Sequence, residues 1–234
     1  MTQGFREERG GGELEWLRYL CYGLAPEQMP APRFAAVLEQ ATPARDAVVL
    51  RNGWAITSRR IWDTGALAVA DEAGYAGTGN TVMWKVDRPL LPARFGLVVL
   101  GVGKDGTCSQ SSPETASVLG LALVREQLRY YHETLLLQQR YCSEREIGGR
   151  PLATIPAVRG QLGESFRQLR LLEEWAPGEP PASPSLSVLT REMRNLGDML
   201  GKPGGARAFL SGGVREAAAM FGMLANLYPG HDHA

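Results

Sequence analysis

The chain has 234 residues, 44% of them hydrophobic and 21% charged, ordinary values for a globular protein long enough for one large or two small domains. Its 25 Lys and Arg balance its 25 Asp and Glu, so no overall field recruits nucleic acid or an anionic membrane. No apolar run approaches the ~20 residues of a membrane span, and Cys21, Cys108 and Cys142 are an odd, dispersed set without metal-ligand spacing, as expected of reduced thiols in a cytoplasmic protein.

The charged start, followed by Gly10-Gly11-Gly12, has no signal-peptide core. Residues 13–22 place Leu14, Leu17, Leu20 and Cys21 on one side of a short helix ended by Gly23. Residues 32–40 read as a second short helix, although 34–38 also suits a strand. From Asp46 the period changes to two. Residues 47–50 and 54–57 flank Asn52-Gly53, which supplies the two positive φ angles of a type I′ turn and predicts a hairpin. Residues 66–70, 81–86 and 95–102 are further strand candidates, which together make a small, mainly antiparallel sheet. The sheet ends at the polar stretch 103–107.

A long helix follows. Ser111 and Ser112 are cap candidates, Pro113 sits where a helix tolerates a missing N–H, and Glu114 complements the positive end of the helix dipole. Val118, Leu121, Leu128, Tyr131, Leu135 and Tyr141 form its main apolar stripe, leaving Leu119, Leu123, Tyr130 and Leu137 as a surplus that predicts a dimer or larger oligomer. After a short turn at 145–152, Ile155, Val158, Leu162, Phe166, Leu169, Leu172 and Trp175 recur at steps of three and four on one face. Beyond the proline-rich breaker 177–184, Leu186, Leu189, Met193, Leu196 and Leu200 give a third helix. Val214, Ala217, Phe221, Leu224 and Tyr228 give a fourth. The fold class is therefore α+β: a short helical segment over 1–45, a small antiparallel β-domain over 46–110, and a four-helix bundle over 111–234.

Two stretches carry a resemblance. Tyr141-Cys-Ser-Glu-Arg-Glu-Ile-Gly-Gly-Arg-Pro-Leu152, followed by Ile155-Pro-Ala-Val-Arg-Gly-Gln-Leu162, resembles the helix-turn-helix of the acyl-CoA dehydrogenase family's C-terminal domain. There an arginine, a small turn ending in Gly, and Pro-Leu precede a helix of the pattern xxxAVxxxLA. The stretch 48–66, with Ala68-Val-Ala-Asp71 after it, is similar to that family's middle β-domain. The pattern there is a hairpin around Gly-aromatic, a basic residue, then Trp-x-Thr-(Gly/Asn)-(Gly/Ala). The resemblance implies FAD as cofactor, with Trp62 packing on the flavin ring and Thr64 bonding toward its reactive nitrogen. It also implies that Arg145 reaches the pyrophosphate of a flavin dinucleotide held by a neighbouring subunit, and that an acyl-CoA or acyl-carrier thioester is oxidised.

The chain also departs from that family. Only about 45 residues precede the sheet where the family has a full helical domain, and a Thr-Glu-Pro-x-x-Gly-Ser-Asp segment has no counterpart beyond a faint echo at Gly23-Leu-Ala-Pro-Glu27. Removing an α proton beside a thioester needs a poised carboxylate. Counted back from Arg145, one of the family's two placements falls near Leu119, and the nearest acid is Glu114, roughly 140° round the helix and over 7 Å along it. The other placement lies past the last helix, where the sequence ends at Ala234. Glu114 is thus the catalytic candidate, with a first-turn dipole partner as its alternative role.

Each of the other candidates has a structural alternative too. Arg145 could satisfy helix C-terminal carbonyls, and the aromatic that the family has three residues later is Gly148 here. Trp62 could be a strand residue covering the sheet, with Thr64 ending the strand. His132, His231 and His233 have no metal-ligand spacing, and neither a phosphate loop nor a Gly-x-Ser-x-Gly elbow is present. Two functions follow. The chain is a flavin-linked acyl-thioester oxidoreductase subunit completed by a partner, in a homo-oligomer or a hetero-oligomer with a full-length homologue; or it is a degenerate, non-catalytic subunit that keeps the bundle for dimerisation.

Overall fold

In the computed structural model, which describes residues 30–40, 47–64, 68–69, 83–86, 90–102, 111–176, 183–202 and 213–228, Asn52 and Gly53 take φ angles of 50° and 77°. These are the two positive angles of a type I′ turn, and Arg51 and Trp54 exchange both backbone hydrogen bonds across it, at 2.9 and 2.8 Å. The expected helix over 13–22, Cys21 and Cys108 lie outside the described residues.

The arms of the hairpin then part. β1 (Ala47–Val48) pairs in parallel with β3 (Ala68–Val69), whereas β2 (Trp54–Ser58) pairs antiparallel with β5 (Leu97–Val102), whose other edge takes β4 (Met83–Lys85). The one sheet expected from sequence is thus two small ones, a three-stranded antiparallel sheet in the order β2-β5-β4 and a two-stranded parallel one. The pleat sorts their side chains onto two faces. Ala47, Val49, Ile56, Leu97 and Val99 join the main core, while Val48, Leu50, Ala55, Val98 and Leu100 form a second, smaller one with Ile61.

Residues 34–40, open between helix and strand in sequence, are helix α1 (Phe34–Gln40). Phe34 is buried and packs edge-on against Phe95 and Phe221, with ring centroids 5.0 and 4.5 Å away. Two more short helices, α2 (Arg59–Asp63) and α3 (Leu90–Arg94), flank the strands, and Arg60 joins α2 to α1 through Glu39 at 3.0 Å.

The long helix α4 (Pro113–Glu144) has 32 residues, about 48 Å at 1.5 Å per residue. Ser112 is its N-cap, its Oγ accepting from the Thr115 amide at 3.1 Å. The turn after it is a small β-hairpin, β6 (Glu146–Ile147) against β7 (Arg150–Pro151), because Gly148 and Gly149 both take positive φ, 60° and 73°. Helices α5 (Pro156–Trp175), α6 (Ser183–Gly201) and α7 (Val214–Leu227) complete the bundle; α4 packs on all three, and α6 on α5 and α7. Leu189, Met193, Leu196 and Leu200 on α6 and Val214, Ala217, Phe221, Leu224 and Tyr228 at α7 are all buried, as their spacing predicts.

Three expectations from spacing change. Trp175 and Val118, placed on core stripes, are 52% and 47% exposed. Leu119, Leu123 and Tyr130, the surplus assigned to an oligomer interface, are at most 4% exposed within this one chain. The reason is that α4 is covered on an additional side by α1 and α7, which widens its apolar face beyond a bundle seam.

The sheet and bundle are joined by backbone. The Leu50 amide donates to Ser111 Oγ at 2.9 Å and the Ser111 amide donates to the Leu50 carbonyl at 2.9 Å, so the last residue before α4's cap is sewn to Leu50, two residues past the first strand. Tyr228, at the end of α7, reaches between the hairpin arms, and Arg94 on α3 pairs with Glu216 on α7. The adjacent serines therefore have separable jobs. Ser112→Ala removes a helix cap and is expected to cost about 1 kcal/mol. Ser111→Ala leaves the buried Leu50 amide without an acceptor, and should cost about 1–3 kcal/mol. Urea midpoints of the two variants at constant m-value check this, and equal costs would refute the division.

Candidate functional site

Trp62 and Thr64 sit not on a strand but on and just after the single helical turn of α2. Ser58 caps that turn, its Oγ accepting from the Ile61 amide at 3.2 Å. Buried Ile61 anchors the turn in the smaller core, and half-buried Trp62 packs against the same cluster of Val48, Leu50, Ala55, Val98 and Leu100. One part of the indole thus has an apolar bed and another part remains accessible. Thr64 caps the turn at its C-terminal end: its hydroxyl donates to the Ile61 carbonyl at 2.7 Å, which leaves the oxygen able to accept a bond from outside. Asp63 between them is exposed and faces Arg59 at 3.8 Å. These residues fit a planar, weakly polar ring laid against Trp62.

Arg145 is at the far end of α4. It is exposed, its backbone amide donates to the Tyr141 carbonyl at 3.0 Å, and its Nη1 donates to the Tyr141 hydroxyl at 2.8 Å. It stands at the C-terminal end of the 32-residue α4, and among the described residues no hydrogen bond or ion pair joins it to α2, Trp62 or Thr64.

The acid position fares differently. Leu119 is fully buried in the main core, on the opposite face of the sheet from the cluster beneath Trp62. Glu114 lies in the first turn of α4, and its side chain is outside the described residues. The buried carboxylate that sequence reasoning missed is Glu126, which accepts from the Arg33 amide at 2.6 Å and from Arg129 Nε at 2.8 Å. Its hydrogen bond to Arg129 holds that guanidinium firmly charged, Glu133 adds to the effect, and Arg129 also donates to the Ala31 carbonyl at 2.8 Å. The bonds from the Arg33 amide to Glu126 and from Arg129 to the Ala31 carbonyl tie the segment before α1 to α4, so Glu126 and Arg129 together are a clamp. The i, i+3 spacing of Glu126 and Arg129 was the available signal, but spacing alone does not tell a buried clamp from a solvated ion pair.

His132 bridges helices, its Nδ1 lying 2.9 Å from Glu173 Oε1 on α5. Among the described residues no group of three or more His, Cys, Asp or Glu side chains is arranged to hold a metal ion, and no helix is long and apolar enough to cross a membrane.

No protein-family model matches this sequence, and no curated protein matches it. Solved structures do. A variant of the Tcur3481-Tcur3483 steroid ACAD is 15% identical with a TM-score of 0.50, over 70% of this chain and 50% of that one. Butyryl-CoA dehydrogenase from Megasphaera elsdenii is 12% identical with a TM-score of 0.49, over 68% and 47%, and glutaryl-coenzyme A dehydrogenase in complex with glutaryl-CoA is 12% identical with a TM-score of 0.48, over 72% and 57%. The chain spans about half the length of these structures. The fold is acyl-CoA dehydrogenase-like over that part, with a small antiparallel sheet before a helical bundle.

The burial of Leu119 can be tested directly. Leu119→Glu places a carboxylate in a closed apolar core and is expected to cost more than about 4 kcal/mol or to prevent folding. Val118→Glu, one position along on the exposed side, should stay within about 0.5 kcal/mol. Denaturant midpoints distinguish them, and a well-folded Leu119→Glu variant would show that the position opens to solvent.

Proposed function

We propose that this chain is a subunit of a flavin-linked acyl-thioester oxidoreductase whose active site is completed by a second chain. The observation that carries the reading is the half-buried Trp62 on its apolar bed beside Thr64, in a chain whose fold is acyl-CoA dehydrogenase-like. Two chains packed through their bundles would bring the Arg145 hairpin of one to the Trp62 wall of the other. Exposed Arg145, with exposed Ile147 beside it on the hairpin, is accessible for such a contact.

In this reading Trp62 lies against one face of the ring, Thr64 faces its edge, and the planar guanidinium of Arg145 from the other chain pairs with the pyrophosphate. When bound, FAD would supply the acceptor for the hydride that leaves the β carbon. The protein must still hold a carboxylate over the α carbon. Here Leu119 cannot take a proton, so the base is Glu114 of this chain or a carboxylate of the partner. The burial of Leu119 also supports the second reading, a non-catalytic subunit that keeps the bundle for assembly.

Complementation separates the two. Trp62→Ala and Arg145→Ala should each abolish flavin binding while leaving helical circular dichroism unchanged. If the site is shared between copies of this chain, a mixture refolded from both variants should recover about a quarter of the parental flavin, because half the dimers are mixed and each holds one intact site. No recovery, together with flavin uptake only on co-expression with a full-length homologue, points to the heteromer. No flavin under either condition sinks the oxidoreductase reading.

The base has its own test. The chain alone is expected to show no appreciable oxidation of straight-chain or branched acyl-CoA with an artificial electron acceptor, since loss of a general base costs about 10²–10⁴-fold. Turnover that disappears in Glu114→Gln would make Glu114 the base.

A further inference from the structure

The register that pairs Arg51 with Trp54 across the turn brings Val49 opposite Ile56 as the next pair that would exchange hydrogen bonds in an ordinary two-residue hairpin. They do not exchange them. The Ile56 amide donates instead to the Tyr228 hydroxyl at 3.0 Å, and that hydroxyl donates to the Val49 carbonyl at 3.1 Å, with the Ile56 carbonyl 3.4 Å away. One phenol oxygen from the end of α7, more than 170 residues distant in sequence, thus occupies the space of a rung of the ladder. Tyr228 is 1% exposed and burial pushes its phenol well above the usual range, so the hydroxyl keeps the proton it donates.

We propose that the Tyr228 hydroxyl is a removable wedge: seated, it holds the β1–β2 hairpin open; withdrawn, it lets Val49 and Ile56 pair directly. Nothing else at the rung needs to change chemically. The amide and carbonyl already face the same gap and are separated by the width of one hydroxyl, and a direct bond satisfies both. An empty gap would leave two buried backbone groups unpaired, which is why the arms close when the wedge leaves.

Closure has a consequence away from the hairpin. Val48 and Leu50 on one arm and Ala55 on the other line the smaller core on which Trp62 rests. Drawing the arms together contracts that core and pulls Val48 against its pairing with Val69 on the other side. The seating of the last turn of α7 therefore sets the shape of the bed under Trp62, and Tyr228 is a positioning residue acting from the bundle on the sheet. The inference concerns the apo chain and does not rest on the flavin reading.

Nuclear magnetic resonance on the full chain tests it. In the parent, a slowly exchanging Tyr228 hydroxyl proton should show a nuclear Overhauser effect to the Ile56 amide, with no scalar coupling between the Ile56 nitrogen and the Val49 carbonyl carbon. In Tyr228→Phe that coupling should appear and the Trp62 indole resonance should shift, with the helical circular dichroism preserved. An Ile56 amide that becomes exchange-labile in Tyr228→Phe without pairing to Val49, or a Trp62 indole that does not move, overturns the proposal. Should Tyr228→Phe fail to fold, relaxation dispersion in the parent decides. A single exchange process shared by Ile56, Tyr228 and Trp62 supports a wedge that leaves and returns, and its absence overturns it.

Discussion

The reciprocal pair of hydrogen bonds between Leu50 and Ser111 is the constraint from which the other relations in this molecule follow. It joins Leu50, two residues past the first strand, to the residue before the N-cap of a 32-residue helix, so the root of α4 is fixed beside the hairpin. A buried backbone amide left without a partner costs about 1–3 kcal/mol, and this exchange satisfies a donor and an acceptor on the same residue. With the root fixed, α1 is held over the near half of α4 by the Glu126 and Arg129 clamp, and α7 returns to the sheet through Tyr228. The near half of α4 is therefore enclosed on more sides than the far half. This is why Leu119, Leu123 and Tyr130 are buried while Leu136 further along is 48% exposed.

Two of the polar groups buried in this arrangement, Gln138 and Tyr131, fix how α4 meets α6. Gln138, 2% exposed, donates to the Leu200 carbonyl at 2.8 Å, satisfying one of the free carbonyls at the end of α6. Tyr131 is fully buried, accepts from Gln127 at 2.9 Å, and approaches α6 so closely that a Cβ at Gly197 would lie 2.4 Å from its hydroxyl. Such contacts specify how the helices meet more narrowly than an aliphatic core would, because a buried hydroxyl or amide has few positions in which it is satisfied.

The same constraint separates fold from function. An acyl-CoA dehydrogenase-like arrangement of sheet and bundle is present, yet the acid position nearest the family's placement is a core leucine. A fold can host a site without completing it, so the activity has to be argued from named atoms. In the function proposed above those atoms are the accessible part of Trp62, the free acceptor capacity of Thr64 and the exposed guanidinium of Arg145.

By itself the sequence determined the elements whose signal is local. The apolar period of α6 and α7, the cap and Pro113 at the start of α4, and the Asn52-Gly53 turn all depend on residues within a few positions of one another, and each stands where the pattern predicts. The Gly148-Gly149 turn was visible as a turn, although its two strands of two residues were too short to show a period. What only the tertiary structure decided is what depends on distant partners. Which leucines of α4 are core depended on how many neighbours α4 acquires. The parting of the β1–β2 arms into two sheets depended on a tyrosine at the other end of the chain, and the burial of Glu126 on an amide at Arg33. A residue's own spacing carries no record of such partners, because the free energy that places it comes from groups brought close only by the folded chain.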